Sequence, residues 1–427
     1  MLPSSSLPPF ARFPAVLARM AAALAVALLA VFRAAPLARR LRGGLAAGAV
    51  LAAVGLPLAA PAQNLPPAPT LAARNWMLVD LTTGQVLAGQ EANGRVDPAS
   101  LTKLMTDYLT LAAVRDKKLA LDQAVPVPVN LYKRVDQRAE SVMFIPPGKT
   151  ATVDDLLHGL IIQSGNDAAI VLAEAVAGSE TTFVDMMNRE AKRMGMNATS
   201  YRNPTGMSHP EHYTTAADLV ILVRNLIADF PQYYKLYSQK EFTYNNIKQA
   251  NRNRLLWVDP TVDGVKTGHT DAAGYCLIAS ARRTQVDGSE RRLLSIVLGA
   301  ASSAARAEES LKLLNWGFQN FDAVKLYDKG QAVATPAIWK GTAAQVKLGF
   351  DKPVYLTVPK GRKPDIKPLL DRKEPLVAPI MAGDRVGTLK VLVDGKPLAE
   401  VPVLALESVP LAGMLGRAWD SLRLLFQ

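Results

Sequence analysis

Three short motifs, widely separated in the chain, constrain its fold more than any other feature. Ser100-Leu101-Thr102-Lys103 places a hydroxyl and an amine three residues apart, Ser164-Gly165-Asn166 adds a second hydroxyl and a carboxamide, and Lys266-Thr267-Gly268 adds a further cation. A nucleophile, a base that can deprotonate it and groups that hold a substrate act together only when they lie within hydrogen-bond reach. The chain must therefore fold so that three distant segments meet at one site.

The first motif lies at the start of a predicted helix. Asp97 is a favourable N-cap and Pro98 suits the first helical position. Ser100 and Lys103 then share one helical face. If Lys103 is desolvated near another cation, its pKa falls and it can accept the Ser100 proton. Apolar residues follow at helical spacing, namely Leu101, Leu104, Met105, Tyr108, Leu109 and Ala112.

The other two motifs lie beside different elements. Ser164-Gly165-Asn166 separates two predicted helices, the first opened by the capping pattern of Thr152 and Asp155 and the second closed by Gly178. Lys266-Thr267-Gly268 lies in the first strand of a predicted meander. The strands of this meander and the helix that follows them are residues 262–268, 274–283, 291–299 and 305–321.

The residue types suggest what each motif can contribute. Ser164 can pass a proton to a leaving amine, and Asn166 offers both a donor and an acceptor to an amide. Lys266 supplies positive charge for a carboxylate, and Gly268 leaves room for an extended peptide beside the strand. The backbone N–H groups of Ser100 and His269 are candidate donors to a developing oxyanion.

These patterns predict an α+β fold: an antiparallel sheet flanked by helices with an inserted helical block, a small C-terminal all-β domain and a terminal amphipathic helix. Residues 1–62 are predicted to be an export signal, because Arg39 to Arg42 precede an apolar stretch and Ala60-Pro61-Ala62 suits cleavage. The apolar run 20–32 upstream is most simply an over-extended gene start. The remaining predicted segments are a Pro-rich linker (63–73), a catalytic domain (74–325), a β-sandwich-like domain (326–406) and an amphipathic helix (409–427).

The net charge limits the partners that the chain can bind, and its single cysteine excludes an intramolecular disulfide. Six of the 49 basic residues lie within residues 1–62, which contain no acid, so half of the net charge of +12 comes from that segment. The rest suits an anionic polymer or membrane surface, and no nucleic-acid partner is predicted. The single cysteine, Cys276, lies in an apolar run and is predicted to be a buried small hydrophobe.

The last nineteen residues, 409–427, favour attachment to a membrane surface. Arg417, Asp420, Ser421 and Arg423 fall mostly on the polar face. We expect the helix to lie in the membrane interface; docking on the β-domain is the alternative. The apolar face comprises Leu411, Met414, Leu415, Ala418, Trp419, Leu422, Leu425 and Phe426.

The three motifs and their flanking residues resemble the low-molecular-mass penicillin-binding proteins, which are serine-type D-alanyl-D-alanine carboxypeptidases. The resemblance also covers Asn203-Pro204-Thr205-Gly206, His212 to Ala216 and Asp263 to Thr270. It implies a β-lactamase/transpeptidase-like catalytic domain with no cofactor and no metal. The implied partners are a peptidoglycan stem peptide ending in D-Ala-D-Ala and β-lactam antibiotics, on the periplasmic face of the bacterial inner membrane.

By this resemblance the functional residues fall into three sets. Asp218 is expected to brace the loop beside the site, and Arg254 is a neighbour easily confused with Arg252. The oxyanion hole is formed by the N–H groups of Ser100 and His269. The catalytic set is Ser100, Lys103, Ser164, Asn166 and Lys266, and the substrate-binding set is Lys266, Thr267, Gly268, His269 and Arg252.

Several alternatives share part of this pattern. A class A-like β-lactamase has the first and third motifs but needs a glutamate stretch, E-x-x-L-N, that is not found after Asn166. A D,D-endopeptidase shares all three motifs but usually lacks the C-terminal β-domain. A Ser-His-Asp hydrolase has little support, since the chain has four histidines and no G-x-S-x-G motif, and His209 and His212 lack the helical spacing of a zinc motif. A non-catalytic wall-binding scaffold would not require all three motifs.

Overall fold

The computed structural model describes residues 67–361, 366–393 and 395–424. The predicted export signal and the first residues of the predicted linker lie outside these ranges. So do residue 394 and residues 425–427 of the predicted terminal helix. Leu71, within the predicted linker, is buried against the catalytic domain.

The described residues form a mixed set of strands and helices, with the helices concentrated before residue 321 and strands predominating after it. The strands are β1 (Asn75–Asp80), β2 (Val86–Gln90), β3 (Ala124–Pro126), β4 (Thr150–Thr152), β5 (Glu241–Tyr244), β6 (Ile247–Ala250), β7 (Val262–Thr270), β8 (Gly274–Thr284), β9 (Glu290–Ala300), β10 (Phe321–Tyr327), β11 (Ile338–Trp339), β12 (Leu348–Gly349), β13 (Val354–Pro359), β14 (Ile366–Arg372), β15 (Leu376–Val377), β16 (Arg385–Val393) and β17 (Lys396–Ala405). The helices are α1 (Lys103–Arg115), α2 (Leu131–Arg134), α3 (Val153–His158), α4 (Asn166–Ala177), α5 (Glu180–Met194), α6 (Ala216–Asp229), α7 (Pro231–Tyr234), α8 (Leu255–Val258), α9 (Ser303–Asn320) and α10 (Met414–Leu424).

The centre of the catalytic domain is a five-stranded antiparallel sheet with the order β2-β1-β9-β8-β7. Its central strand β9 buries side chains on both faces, as the two-residue period of a strand requires when both faces are covered. Leu294 and Ile296 belong to the core shared with the helical block, whereas Leu293 and Val297 pack with Leu313 of α9. The predicted α+β fold, with helices flanking an antiparallel sheet, is confirmed.

The helical block between β2 and β7 begins and ends its helices where the sequence indicates. Thr152 caps α3 by accepting a hydrogen bond from the Asp155 N–H, and Gly178 and Gly195 end α4 and α5 in the left-handed region with φ of 77° and 89°. Glycine adopts this conformation without the steric cost that a Cβ would impose. The first of these glycines ends α4, which begins at Asn166 of the second motif.

The C-terminal domain is a four-stranded antiparallel sheet, β12-β17-β16-β14, together with the pairs β10-β13 and β11-β15. β10 begins at Phe321, directly after α9 and within the range that the sequence assigned to the catalytic domain. A buried ion pair lies where the two domains meet: Arg291 Nε donates to Asp80 Oδ2 at 2.7 Å. Thr357 of β13 donates to the same oxygen at 2.8 Å, which links the second domain to the pair.

The terminal helix starts later than its sequence pattern predicts. Val409 is buried and its backbone bonds with Ile380 in both directions, so this residue belongs to the β-domain rather than to the helix. Pro410 and Gly413 then disfavour helix, and α10 begins at Met414. None of the helices in the described ranges combines the length and apolar character needed to cross a bilayer.

Candidate active site

Ser100 and Lys103 lie at a junction between two kinds of helix. Ser100 is in a 3₁₀ turn, Ala99–Thr102, and Lys103 is the first residue of α1. Lys103 is only 1% exposed, and its Nζ lies 3.0 Å from Ser100 Oγ. The same nitrogen donates to Asn166 Oδ1 at 2.6 Å and to the Thr205 carbonyl. The amine is thus held by three fixed acceptors, one of which is the predicted nucleophile.

The surroundings of Lys103 favour its neutral form. Burial, followed by the positive charge of Arg252, lowers the pKa of Lys103 to about 7, against the opposing effects of Glu140 and Asp167. Desolvation disfavours an ammonium ion because the interior replaces its hydration poorly. A substantial share of Lys103 is therefore unprotonated near neutral pH, as a general base requires.

Ser164 is held in a strained backbone conformation at the end of a π-helical turn, Gly159–Gln163. Its φ of 66° places it in the left-handed region, which is uncommon for a residue with a side chain. The side chain is 2% exposed, and its Oγ has no hydrogen-bond partner among the described residues. Such an unpartnered hydroxyl at the base of a cleft can bond to a ligand atom that arrives there.

Asn166 begins α4 and is fixed at both ends of its amide. Its Oδ1 accepts from Lys103 Nζ, and its Nδ2 donates to Glu140 Oε2. The backbone N–H of Asn166 donates to the Ser141 carbonyl at 2.7 Å. The second motif is therefore attached to the first through Lys103 and to the segment around residue 140 through two further bonds.

The third motif lies on β7, which forms one edge of the central sheet. Lys266 is 3% exposed, and burial together with the charges of Lys103 and Arg252 lowers its pKa well below the ordinary value. A Cβ added to Gly268 would stand 3.2 Å from both Ala99 Cβ and the Pro98 carbonyl. Glycine at this position thus allows β7 to approach the turn that carries Ser100, a reason that differs from the one predicted from the sequence.

These elements surround an open cleft of about 1110 Å³. Lys103 and Lys266 are not among its lining residues, since both are buried behind it. Arg252 reaches the cleft whereas Arg254 does not, which distinguishes the two neighbours. The predicted site residues that line the cleft are Ser100, Ser164, Asn166, Arg252, Thr267, Gly268 and His269.

The cleft also contains residues that the sequence analysis missed. Arg306 of α9 is buried, and its Nη1 donates to the Gly268 carbonyl at 3.0 Å and the Cys276 carbonyl at 3.4 Å. Burial lowers the pKa of Arg306 to about 10. Glu140 and Tyr275 line the cleft as well. An arginine in the first turns of an amphipathic helix usually faces solvent, so no local signal marks Arg306.

Two braces hold the loops that meet Lys103. Asp218 Oδ2 accepts from the Ala198 N–H at 2.9 Å and from Thr199 Oγ1 at 2.6 Å, which ties α6 to the segment before the cleft. Asn203 Oδ1 accepts from the Gly206 N–H at 2.7 Å and closes the turn that carries Thr205. These bonds fix the carbonyl that faces the Lys103 amine.

His212, the second of the two histidines near this loop, contacts the turn that carries Ser100. His212 Nε2 lies 2.9 Å from Thr102 Oγ1, and its Nδ1 accepts weakly from the Arg202 N–H. Burial lowers the pKa of His212 to about 4, so the ring is neutral. Within the described ranges, no group of three or more His, Cys, Asp or Glu residues could hold a metal ion.

Cys276 is buried, as its apolar run predicts.

Known proteins share this arrangement over most of the chain. A family model for D-alanyl-D-alanine carboxypeptidase matches residues 62–302, and one for the C-terminal domain of penicillin-binding protein 5 matches residues 321–411. The D-alanyl-D-alanine carboxypeptidase DacC of Escherichia coli is 41% identical over 387 residues, covering 90% of this chain and 96% of that protein. The D-alanyl-D-alanine carboxypeptidase DacA of the same organism is 38% identical over 367 residues, covering 85% of this chain and 90% of that protein.

Solved structures agree with the sequence relatives. Penicillin-binding protein 5 from Haemophilus influenzae superposes with a TM-score of 0.74 at 36% identity, covering 81% of this chain and all of that one. The two family matches together span the three motifs and the second domain. Because one family model matches more than half of the chain and curated relatives match most of it, the chain belongs to the D-alanyl-D-alanine carboxypeptidase family.

Proposed function

We propose that this serine-type D-alanyl-D-alanine carboxypeptidase removes the terminal D-alanine of a peptidoglycan stem peptide through an acyl-enzyme on Ser100. The observation that carries the proposal is the 3.0 Å separation of Ser100 Oγ from the buried amine of Lys103. A nucleophile beside a base with a pKa of about 7 has the arrangement that covalent catalysis requires.

Acylation follows from the positions of the three motifs. Neutral Lys103 takes the Ser100 proton while Oγ attacks the carbonyl carbon of the penultimate D-alanine. The N–H groups of Ser100 and His269 stabilise the oxyanion that forms. Ser164 then gives its proton to the leaving nitrogen and regains one from protonated Lys103, the C–N bond breaks and D-alanine departs. Water hydrolyses the resulting ester and regenerates the Ser100 hydroxyl.

The cleft offers separate places for the two ends of the peptide. β7 is an edge strand, so an extended peptide can pair with its free backbone groups beside Thr267. The cationic groups of Arg252 and Lys266 provide the positive potential that holds the terminal carboxylate. A β-lactam places its own carboxylate and reactive carbonyl in the same two positions, and therefore acylates Ser100.

A direct test measures free D-alanine released from a pentapeptide that ends in D-Ala-D-Ala. We expect stoichiometric release, unaffected by EDTA, and no release by Ser100→Ala. Loss of activity on chelation would revive the histidine metal site. Rapid hydrolysis of benzylpenicillin with no release from peptide would instead favour a β-lactamase, and cleavage of cross-linked dimers alone would favour a D,D-endopeptidase.

We also propose that α10 attaches the exported protein to the periplasmic face of the inner membrane. Its polar side faces the protein, because the Lys340 N–H donates to Asp420 Oδ2 at 2.6 Å. Its apolar side faces outward: Leu415, Trp419 and Leu422 are 90%, 61% and 54% exposed. A helix docked through its apolar face would have the opposite orientation, so the interfacial role has the better support.

A vesicle-binding measurement separates these roles. Trp419→Glu with Leu422→Glu should abolish sedimentation with anionic phospholipid vesicles while peptide hydrolysis stays unchanged. Val129→Glu with Val286→Glu is a matched control, since both valines are strongly exposed and lie outside α10. If the control loses vesicle binding equally, the loss reflects general charge repulsion and not the apolar face of α10. If the helix variant alone fails to fold, the docked helix is favoured.

A further inference from the structure

Glu140 contributes a carboxylate to the active site that none of the three motifs contains. It lines the cleft, and its Oε2 accepts from Asn166 Nδ2. The opposite end of the same amide accepts from Lys103 Nζ at 2.6 Å. A chain of hydrogen bonds therefore runs from Glu140 through Asn166 to the amine beside Ser100.

The carboxylate decides which way the amide of Asn166 faces. An ionised carboxylate only accepts hydrogen bonds, so it selects the NH₂ end of the amide and turns Oδ1 toward Lys103. Without it, a rotation by half a turn would present NH₂ to the amine. Two donors would then face each other whenever Lys103 is charged, and the separation from Ser100 would no longer be fixed.

The segment that carries Glu140 is itself fixed. The Glu140 N–H donates to the Asp136 carbonyl at 2.8 Å, and Oε1 accepts from the Asp136 N–H at 3.1 Å. Beyond it, the buried carboxylate of Asp167 accepts from the Met143 N–H at 2.9 Å. The Glu140 carboxylate is thus fixed by Asp136 within its own segment, and the bond between Met143 and Asp167 attaches that segment to α4.

Resting on the proposed role of Lys103 as the base, we propose that Glu140 is a positioning residue for acylation: it orients the Asn166 amide toward Lys103, and its negative charge sets the pH range in which acylation proceeds.

The charges that face Lys103 determine the direction of the second effect. Arg252 favours the neutral amine of Lys103, whereas Glu140 and Asp167 favour the charged one. Lys266 is itself held toward its neutral form, and the ring of His212 is neutral. Removing the charge of Glu140 leaves the effect of Arg252 less opposed. Lys103 then loses its proton more easily, and the acidic side of the acylation profile moves to lower pH.

Two substitutions separate charge from orientation. Glu140→Gln keeps an acceptor for Asn166 Nδ2 and removes only the charge, so the midpoint of the acidic limb should fall by roughly half a unit to one unit with little loss at the plateau. Glu140→Ala removes both and should also lower the plateau rate by about tenfold. Asp136→Asn is the control, because this acid lies in the same segment and lines the cleft but bonds to the Arg138 N–H.

The experiment follows the second-order rate of acylation by benzylpenicillin from pH 5 to 10 in all four proteins. A downward shift in Glu140→Gln and Glu140→Ala, absent from Asp136→Asn, supports the proposal. The proposal is overturned if the midpoint of the acidic limb stays in place or moves to higher pH in these variants, or if Asp136→Asn shows an equal shift. Absence of any adduct in the parent protein is a different result, because it contradicts the proposed function itself.

Discussion

The molecule buries two groups of charged side chains, and they differ in how their charges are balanced. At the contact between the domains, Arg291 and Asp80 are oppositely charged and 1% and 0% exposed. Behind the cleft, Lys103 and Lys266 carry the same sign and are equally buried, near the further cations Arg252 and Arg306. In the first group opposite charges compensate each other, whereas in the second group charges of the same sign repel each other.

The paired group belongs to the fold. Asp80 accepts from Arg291 and Thr357 through one oxygen and from the Thr82 N–H at 2.9 Å through the other. Arg291 donates further to the Phe321 carbonyl at the start of β10, while its Nη2 lacks a partner among the described residues. The pair thus joins two strands of the central sheet to the first strand pair of the second domain.

The unpaired group belongs to the chemistry. Bringing ammonium and guanidinium groups together out of water destabilises the folded chain, and the site relieves this by releasing a proton from a lysine. In the mechanism that we propose, the same release provides the base beside Ser100. A buried charge with its counterion therefore indicates structure, and buried like charges at a cleft indicate a functional site.

The largest expected effect comes from preventing Lys103 from releasing its proton. Lys103→Arg keeps a cation but cannot lose its proton at usable pH. Acylation of Ser100 by benzylpenicillin should slow by about 100- to 10,000-fold, the usual contribution of a general base. Stopped-flow or gel-based labelling measures it, and a near-normal rate would show that another group deprotonates Ser100.

Breaking the compensated pair should affect the fold instead of the chemistry. Asp80→Asn leaves Arg291 buried without its counterion and should lower the free energy of unfolding by about 3–5 kcal/mol. Acylation by the remaining folded protein should stay within about threefold, because distant sites act independently. Denaturant titration and labelling of the same sample check both halves.

Thr357→Val is the graded control for this comparison, since it removes one neutral donor from Asp80 and should cost only about 1 kcal/mol. An equal loss from both substitutions would mean that the charge of the pair is unimportant. A large loss of acylation in the Asp80 variant would mean that the two groups are coupled.

Removing the charge of Lys103 should have a smaller effect, and it should raise the free energy of unfolding where Asp80→Asn lowers it. Lys103→Met should raise the free energy of unfolding at pH 7 by about 1–3 kcal/mol. The pKa of Lys103 is lowered from 10.5 to about 7. The unfolded chain therefore binds more protons between these values, and the stability of the parent rises with pH through this window.

The gain from Lys103→Met should be largest at or below pH 7 and should vanish above pH 10.5. Denaturant titrations at several pH values measure it. A variant less stable than the parent at pH 7 would mean that the hydrogen bonds of Lys103 outweigh its desolvation.

Local patterns were sufficient for much of this architecture. The motifs, the helix end at Gly178 and the strands of the meander depend on neighbouring residues, so the sequence predicts them. The roles of Glu140 and Arg306 could not be predicted, because both depend on contacts between segments far apart in the chain. The start of α10 was wrong by five residues, since a bond between Val409 and Ile380 overrides its apolar spacing.

We propose that the buried amine of Lys103 activates Ser100 for covalent attack. The most direct test of this proposal is the intact mass of the protein after incubation with benzylpenicillin, followed by mapping of the modified peptide. We expect one penicilloyl group, attached to Ser100 and absent from Ser100→Ala. An adduct on any other residue, or none under conditions in which the protein is folded, would contradict it.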